Sequence, residues 1–223
     1  MALVTGGARG LGVEVCRQLA RARMTVWLTA RDEERAAAAV AEMAGEGDVR
    51  AARLDIDDAE DIATLAERTP KLDVLVNNAA IDYDTDQHAL TADLDRVRRD
   101  LDTNLFGAWR MAQAFAPHLR ASGHGRLVNV SSGAGSITDM QSGRTPAYST
   151  AKLALNGLTR MLAAELRGEG VLVNSVCPGW TATDMGGGGR PVAEGARSIV
   201  WACLLDDHGP SGGFFRDGRE IAW

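Results

Sequence analysis

Apolar residues occur along this chain in two alternating patterns, short continuous runs and longer stretches in which they recur every three or four positions. The short runs predict buried strands, and the longer stretches predict helices with one inward face. Predicted strands cover residues 2–5, 25–29, the residues up to Leu54, 72–76, 127–130, 171–176, and a last segment that contains Phe214 and Phe215. Predicted helices run from the residues after Gly10 to about Arg23, from about 33 to 44, from Asp57 past Leu65, from about 94 to 119, from about 145 to 166, and from Pro191 to about Leu205.

The order of these elements predicts an α/β fold. Continuous apolar runs bounded by helices are typical of parallel strands that are buried on both faces. We therefore expect a single, doubly wound parallel-sheet domain of the Rossmann type over residues 1–223, with about seven strands and helices on both faces. Asp57, with Glu60 three positions later, predicts the capped start of the third helix. The single residue before the first strand leads us to expect either a wrongly assigned start or a trimmed chain.

The charge and the cysteine content exclude several classes of protein. The chain carries a formal net charge of −6, whereas nucleic acids and anionic membranes require clustered positive charge. No apolar run is long enough for a membrane span, and the start lacks the pattern of a secretory signal. Cys16, Cys177 and Cys203 lie far apart and show no paired spacing, which favours buried thiols in a reducing compartment. We therefore expect a cytoplasmic protein that binds neither nucleic acid nor membrane.

A glycine-rich segment, Gly6-Gly7-Ala8-Arg9-Gly10-Leu11-Gly12, joins the first predicted strand to the first predicted helix. A strand that ends in glycines and opens a helix offers free backbone N–H groups and the positive end of the helix dipole to a pyrophosphate. The usual dinucleotide spacing GxGxxG is absent, so a tight turn that binds no ligand is the alternative.

The residues that follow the second strand favour NADP over NAD. Enzymes that use NAD usually place an acidic residue there, against the 2′-hydroxyl of the adenosine ribose. This chain has Ala30 and Arg31 at that place, and Arg9 in the glycine-rich segment can reach the same group. A guanidinium binds a 2′-phosphate through two hydrogen bonds, whereas a carboxylate repels it. Two ordinary surface arginines are the alternative, and Asp32 weakens the argument slightly.

Tyr148 and Lys152 are four residues apart near the start of a predicted helix, so their side chains lie on one face. An ammonium at this distance favours the phenolate and lowers the pKa of the tyrosine toward values useful for acid–base catalysis. Only two of the 24 basic residues are lysines and only two residues are tyrosines, so about 0.02 such pairs are expected by chance. Ser132 ends the fifth strand at the edge where ligands of such sheets bind, although a serine there is more often a turn former.

These motifs, taken in order, resemble those of the short-chain dehydrogenase/reductase family over nearly the whole chain. The matching segments are Thr5-Gly6-xxx-Gly10-x-Gly12, Asn77-Asn78-Ala79-Ala80, Asn104, Ser132, Tyr148-xxx-Lys152 and Pro178-Gly179. The resemblance implies that Tyr148 donates a proton and that Ser132 holds the substrate oxygen. It also implies that Lys152 binds the nicotinamide ribose and lowers the pKa of Tyr148, and that Asn104 orders a water that connects Lys152 to solvent.

The resemblance also implies a set of residues around the cofactor, and no metal ion. Asp55 and Ile56 would line the adenine pocket, and Thr183 would contact the carboxamide of the nicotinamide. The family usually has glycine where this chain has Ala80. Together with the arginines argued above, the complete set of expected cofactor-binding residues is Gly6, Arg9, Gly10, Leu11, Gly12, Arg31, Asp55, Ile56, Asn78, Ala79, Ala80, Tyr148, Lys152, Pro178, Gly179, Thr181 and Thr183.

Within the family, three segments resemble carbonyl reductases of animals and plants, which use NADPH. They are Leu28-Thr29-Ala30-Arg31-Asp32, Thr103-Asn104-Leu105-Phe106-Gly107 and Gly209-Pro210-Ser211-Gly212-Gly213-Phe214-Phe215. The resemblance implies reduction of a ketone, aldehyde or quinone to the alcohol with NADPH. The chain lacks the helical insert that keeps the animal enzymes monomeric, so a homodimer or homotetramer is expected. An alcohol, sugar or steroid dehydrogenase that works oxidatively and a non-catalytic nucleotide-sensing protein are the alternatives.

A segment after the sixth strand, residues 180–191, is expected to form a short lid over the substrate. Its four consecutive glycines, 186–189, favour mobility. Trp180 and Met185 indicate apolar contact, and packing in the core is the alternative for both. An open, mobile lid favours a broad tolerance for bulky carbonyl substrates.

Overall fold

The computed structural model describes all residues of the chain, 1–223. It contains one eight-stranded sheet in the order β3-β2-β1-β4-β5-β6-β7-β8. The strands are β1 Ala2–Val4, β2 Val26–Ala30, β3 Val49–Arg53, β4 Val74–Asn77, β5 Gly125–Val130, β6 Val171–Val176, β7 Phe214–Arg216 and β8 Arg219–Glu220. The helices are α1 Gly10–Arg21, α2 Glu33–Ala41, α3 Ala59–Glu67, α4 Leu94–Leu101, α5 Ala108–Ser122, α6 Pro146–Glu165 and α7 Val192–Cys203.

The doubly wound parallel sheet expected from the sequence is confirmed. All neighbouring strands from β3 to β7 pair in the parallel direction. Successive residues of a strand point to opposite faces, so Leu3 enters one core while Ala2 and Val4 enter the other. Helices α1, α2 and α7 cover the face of Ala2 and Val4, and α3, α5 and α6 cover the opposite face. Burial of both faces explains the continuous apolar runs in the sequence.

An eighth strand corrects the expected number of about seven. β8 pairs with β7 in the antiparallel direction, across a turn in which Asp217 and Gly218 have φ angles of 53° and 74°. The two residues of β8, Arg219 and Glu220, are polar and exposed. They produce no apolar run, so the sequence pattern does not predict this strand.

The single helix expected from about residue 94 to 119 is interrupted. α4 ends at Leu101, and a π-helical turn over Asp102–Gly107 precedes α5. Turns of this kind occur frequently at functional sites. Gly107 packs so closely on Ile56 that a Cβ would lie 2.6 Å from the Cδ1 atom. The apolar spacing of a π turn differs from that of an α-helix by only about one residue, so the sequence does not separate the two.

Asp58, rather than Asp57, caps α3. The Asp58 carboxylate accepts hydrogen bonds from the backbone N–H groups of Glu60 and Asp61, at 2.9 and 3.4 Å. Asp57 instead accepts a hydrogen bond from Oγ1 of Thr103 at 2.7 Å. It therefore joins the segment before α3 to the π-helical turn, a tertiary contact that the local sequence does not indicate.

The sequence predicts buried thiols and no membrane-spanning segment. The three cysteines are buried and unpaired, as expected. No helix combines the length and the apolar character that a membrane crossing requires.

Candidate active site

A cavity of about 420 Å³ opens at the carboxyl ends of the central strands. The strand order reverses here, because β2 and β4 flank β1 on opposite sides, and ligands of open α/β sheets bind at such points. Asn104, Ser132, Gly179 and Thr181 lie outside its wall. The predicted residues that do form the wall are Gly6, Arg9, Gly10, Leu11, Gly12, Arg31, Asp55, Ile56, Asn78, Ala79, Ala80, Tyr148, Lys152, Pro178 and Thr183.

The glycine-rich segment turns tightly between β1 and α1. Gly6 and Gly10 have φ angles of 62° and 53°, which L side chains rarely adopt. A Cβ on Gly12 would lie 2.3 Å from the carbonyl oxygen of Gly6. Arg9 makes no side-chain hydrogen bond to the start of α1, so the N–H groups of the first turn remain without an acceptor at the cavity wall. These N–H groups and the positive end of the helix dipole fit the pyrophosphate of a dinucleotide.

Three arginines lie at the end of the cavity next to β2. Arg9, Arg31 and Arg35 contribute to its wall, and their side chains are exposed. Asp32, which weakens the sequence argument for NADP, caps α2 by accepting the backbone N–H of Arg35 at 3.1 Å. Nε of Arg35 also lies 3.5 Å from this carboxylate. Asp32 is therefore engaged at the helix start with Arg35, and Arg9 and Arg31 form no ion pair with a carboxylate.

The segment after β4 closes against the glycine-rich segment. Asn78 donates its side-chain N–H groups to the carbonyl oxygens of Thr5 and Gly6, at 2.9 and 3.1 Å. Ala79 packs on Gly6, where an added Cβ would lie 2.9 Å from its Cα atom. Ala80 replaces the usual glycine and forms part of the cavity wall. The two segments thus hold each other in place at the centre of the cavity.

Tyr148 and Lys152 lie one turn apart on α6 and reach the same wall of the cavity, as their spacing predicts. Nζ of Lys152 donates a hydrogen bond to the carbonyl oxygen of Val130 at 2.9 Å. It lies 5.5 Å from the centroid of the Tyr148 ring. The lysine is 3% exposed, and burial lowers its pKa to about 8.

The pKa of Tyr148 shifts in the opposite direction to the one expected. Burial raises it well above the usual value near 10, and the hydroxyl of Ser132 opposes the shift only in part. The charge of Lys152 does not offset the effect of burial on this pKa. Tyr148 is therefore a protonated phenol near neutral pH, which is the form that can act as a proton donor.

Ser132 and Asn104 are positioned by contacts behind the cavity wall. Oγ of Ser132 accepts a hydrogen bond from the N–H group of Ala134 at 3.2 Å, at the start of a 3₁₀ turn. Asn104, in the π-helical turn, accepts a hydrogen bond from the N–H group of Ile81 at 2.8 Å and donates one to its carbonyl oxygen at 3.0 Å. The structure thus brings Ser132 to the phenol of Tyr148 and uses Asn104 to hold the segment after β4.

Residues 180–191 form a loop whose two ends are joined. The N–H group of Arg190 binds the carbonyl oxygen of Trp180 at 2.9 Å, and that of Ala182 binds the carbonyl oxygen of Arg190 at 3.0 Å. Oγ1 of Thr181 donates to the carbonyl oxygens of Pro178 and Gly179. Thr181 and Gly179 thus shape the base of the loop without forming the cavity wall.

The apolar residues of this loop differ in their surroundings. Trp180 is 71% exposed, and its Nε1 atom donates a hydrogen bond to the carbonyl oxygen of Gly186 at 2.9 Å. The alternative interpretation, that Trp180 packs in the core, is therefore wrong. Met185 lies in the cavity wall, where it offers an apolar surface.

Loop 82–86, which follows β4, holds the start of α6. Asp84 is fully buried, and its carboxylate accepts hydrogen bonds from the N–H groups of Ala147 and Tyr148, at 2.9 and 3.1 Å. α6 has no cap of its own, because Thr145 has a left-handed φ of 50° and its side chain makes no capping bond. Acidic residues that alternate in a loop are typical of a solvated surface, so the sequence gives no sign that one of them is buried.

Loop 82–86 also contacts the ring of Tyr148. Tyr83 packs edge-on against it, with the ring centroids 5.0 Å apart and an angle of 82° between the planes. Arg96 of α4 forms ion pairs with both Asp82 and Asp86. One guanidinium therefore ties down both ends of the loop that carries Tyr83.

Removal of the Asp84 carboxylate would leave two buried N–H groups without acceptors. We expect Asp84→Ala to lower the free energy of unfolding by about 2–3 kcal/mol, measured by urea denaturation. Asp86→Ala is the matched control, because the Asp86 side chain is 67% exposed and surface ion pairs contribute about 0–1 kcal/mol. Equal losses in the two variants would contradict a capping role for Asp84.

Comparisons with known proteins agree with this geometry. The sequence pattern of the family described as short chain dehydrogenase matches residues 1–191. The short-chain reductase protein NovJ of Streptomyces niveus is 40% identical over 191 residues, which cover 83% of this chain and 70% of that protein. Carbonyl reductase (NADPH) 1 of Sus scrofa is 32% identical, and the match covers 100% of this chain and 94% of that protein.

Solved structures show the same similarity. The NADPH-bound carbonyl reductase from chicken fatty liver superposes with a TM-score of 0.87 at 28% identity, over 100% of this chain and 98% of that one. The carbonyl reductase Sniffer of D. melanogaster superposes with a TM-score of 0.88 at 25% identity, over 100% and 98% of the two chains. The chain therefore belongs to the short-chain dehydrogenase/reductase family of oxidoreductases.

Proposed function

We propose that this chain is an NADPH-dependent carbonyl reductase, formed as one domain over residues 1–223 with residues 180–191 as its lid. The observation that carries the proposal is that Tyr148 and Lys152 meet the glycine-rich segment and the arginines in one cavity. The similar proteins support it, because carbonyl reductases that use NADPH are among them by name.

NADPH, when bound, supplies the hydride that reduces the carbonyl carbon. The first turn of α1 would hold the pyrophosphate, and Arg9 with Arg31 would hold the 2′-phosphate. Asp55 and Ile56 would line the adenine pocket, and Lys152 would bind the nicotinamide ribose. The other proposed contacts are Gly6, Gly10, Leu11, Gly12, Asn78, Ala79, Ala80, Tyr148, Pro178, Gly179, Thr181 and Thr183.

The side chains of the chain itself would handle the proton. Ser132 and Tyr148 hydrogen-bond the carbonyl oxygen of the substrate and polarise the carbon–oxygen bond. Tyr148 transfers its proton to that oxygen, so the O–H bond of the phenol breaks as the O–H bond of the alcohol forms. Lys152, when protonated, stabilises the phenolate that remains. Because burial raises the pKa of Tyr148, the phenol holds the proton that a reduction near neutral pH requires.

The same residues serve an alcohol, sugar or steroid dehydrogenase that works oxidatively. Oxidation starts from the Tyr148 phenolate and reduction ends on it, so the burial that disfavours this form does not decide between the two directions. The names of similar proteins, which include NADPH-dependent carbonyl reductases, favour the reductive one. A nucleotide-sensing protein needs the phosphate-binding segment but has no use for a Tyr148–Lys152 pair at the cavity wall.

Three other expectations stay predictions. They are the assembly of the chain into a homodimer or homotetramer, its location in the cytoplasm, and the acceptance of bulky carbonyl substrates under the lid. The exposed Trp180 and the cavity-lining Met185 support the last of these.

Replacement of Tyr148 by Phe removes the proton donor and keeps the ring. We expect Tyr148→Phe to lower kcat/KM for carbonyl reduction by about 10²–10⁴-fold, because the alcohol oxygen then has no positioned acid. NADPH binding, measured by calorimetry, should stay close to that of the unchanged protein. Activity is measured as NADPH oxidation across quinones, aromatic aldehydes and ketoesters.

Tyr83→Phe is the matched control, because it removes the only other phenol of the chain while the ring contact with Tyr148 is kept. It should retain most of the activity. Substantial turnover by Tyr148→Phe would contradict the proposal. NADPH binding without turnover of any carbonyl would favour the nucleotide sensor, and turnover of alcohols with NADP alone would favour the oxidative enzyme.

Arg31→Asp places a carboxylate where the 2′-phosphate is proposed to bind. We expect the ratio of kcat/KM for NADPH to that for NADH to fall about 100-fold, because charge-assisted hydrogen bonds are lost and repulsion is added. Arg23→Asp makes the same charge change at an exposed position beyond the far end of α1 and should leave the ratio unchanged. An unchanged ratio in Arg31→Asp would refute the proposed phosphate site.

A further inference from the structure

Helix α4 buries one residue completely, and that residue is an acid. Asp100 is 1% exposed, whereas every other residue of α4 is at least partly exposed. Neither carboxyl oxygen of Asp100 has a hydrogen-bond partner in the protein. A buried charge of this kind is costly unless an opposite charge compensates it. The groups that face Asp100 therefore decide what it does.

Lys152 is the cation that faces Asp100. α4 packs against α6, and Lys152 is the basic group whose charge acts on the Asp100 carboxyl. The lysine ammonium can donate three hydrogen bonds, and the protein accepts one of them, at the carbonyl oxygen of Val130. Asp100 also lies four residues before Asn104, so their side chains lie on one side of the helix. A buried acid with free acceptors and a buried base with free donors thus occupy the same interface.

The other charged groups in this region already have partners or lie in solvent. The Asp82 carboxylate is bound by Arg96. The Asp84 carboxylate accepts two N–H groups at the positive start of α6. Besides Asp100, the titratable groups on loop 82–86, on α4 itself, at the start of α6 and at the start of the π-helical turn are Asp82, Tyr83, Asp84, Asp86, Asp95, Arg96, Arg98, Arg99, Tyr148, Lys152 and the exposed Asp102.

We propose that Asp100 is a positioning residue that acts through Lys152, because its carboxylate keeps the lysine ammonium protonated beside Tyr148. In this role Asp100 sets the pH range over which Lys152 stabilises the phenolate. The inference rests on the proposed function, since a phenolate forms there only if Tyr148 has given its proton to a substrate.

The titration of the two groups is consistent with this role. Burial raises the pKa of Asp100 to about 7, and the amide of Asn104 and the charge of Lys152 oppose the shift. Burial lowers the pKa of Lys152 to about 8, and the charge of Asp100 opposes that shift. Near neutral pH the charge on each group therefore depends on the other. Removal of the Asp100 carboxylate should lower the pKa of Lys152 further.

The first test is the pH dependence of carbonyl reduction by Asp100→Asn. We expect the alkaline loss of kcat, which follows deprotonation of Lys152, to move down by about one pH unit. The deficit should grow from almost none near pH 6 to about fivefold near pH 8 and about tenfold near pH 9. Asp102→Asn is the matched control, because it removes the same charge two residues away in solvent, and its profile should match that of the unchanged protein.

An alkaline limb at an unchanged pH in Asp100→Asn, or an equal loss of activity at every pH, would overturn the proposal. The second result would indicate a merely structural defect. Thermal unfolding of each variant establishes that it folds.

The second test needs neither cofactor nor turnover and follows the Tm of the protein from about pH 4 to 9. Between about pH 4, where an unfolded aspartate titrates, and about pH 7, the folded Asp100 carboxyl keeps a proton that the unfolded one has released. The stability of the unchanged protein therefore falls as pH rises through this window. The Tm of Asp100→Asn should rise relative to that of the unchanged protein across this window. It should rise further to about pH 8, because Lys152 in the folded variant releases its proton about one pH unit earlier.

The same measurement with Lys152→Met as the background tests the coupling. Without its cation, the Asp100 carboxyl should keep its proton to a higher pH, so the window should extend upward by about one pH unit. A window that ends at the same pH in both backgrounds, or no pH-dependent lead in Asp100→Asn, would overturn the proposal. An extended window in a chain that reduces no carbonyl would support the coupling and contradict the proposed function, so the two failures are distinguishable.

Discussion

Helix α6 is fixed against the sheet at two points, and the candidate site depends on both. At its start, the buried Asp84 carboxylate accepts the N–H groups of Ala147 and Tyr148. One turn later, Lys152 binds the carbonyl oxygen of Val130, the last residue of β5. The first contact determines where the helix begins, and the second determines its rotation about its own axis. Tyr148 lies between them, so its phenol has one position relative to the sheet edge.

The sheet topology brings the remaining parts of the site to this phenol. The strand order reverses between β1 and β4. The chain segments that follow these two strands therefore continue to opposite faces of the sheet. The crevice between them is closed at its base by Asn78, which bonds both Thr5 and Gly6. The start of α1 on one face and the Tyr148–Lys152 pair on the other thus meet across a gap that follows from the connectivity of the strands.

Features encoded by neighbours in sequence could be predicted, and features that depend on distant contacts could not. The buried strands, the glycine-rich turn and the Tyr148–Lys152 pair are local patterns with a local cause. The cap on α6 comes from Asp84, more than sixty residues before it, and the loop around Asp84 reads as ordinary solvated surface. The pKa of Tyr148 was expected to fall because of Lys152, but burial raises it, and burial is a property of the whole fold.

Two buried cations lie at opposite ends of β5, Arg126 at its start and Lys152 of α6 beside its last residue. The first stabilises the fold, and the second lies at the candidate site. Arg126, at the start of the strand, is 5% exposed and donates hydrogen bonds to the carbonyl oxygens of Gly125 and Leu205 and to the Asp207 carboxylate. An arginine keeps its charge when buried, so this guanidinium, which makes four hydrogen bonds within the protein, can only hold the chain together.

Lys152, at the other end of β5, has one acceptor in the protein and a pKa that burial has lowered to about 8. A lysine releases its proton when its surroundings demand it, which an arginine does not do. The free donors on its ammonium face a cavity wall that also contains Tyr148. In a chain in which 22 of the 24 basic residues are arginines, a lysine at this one buried position supplies what no arginine could, a cation whose charge can follow the state of the phenol beside it.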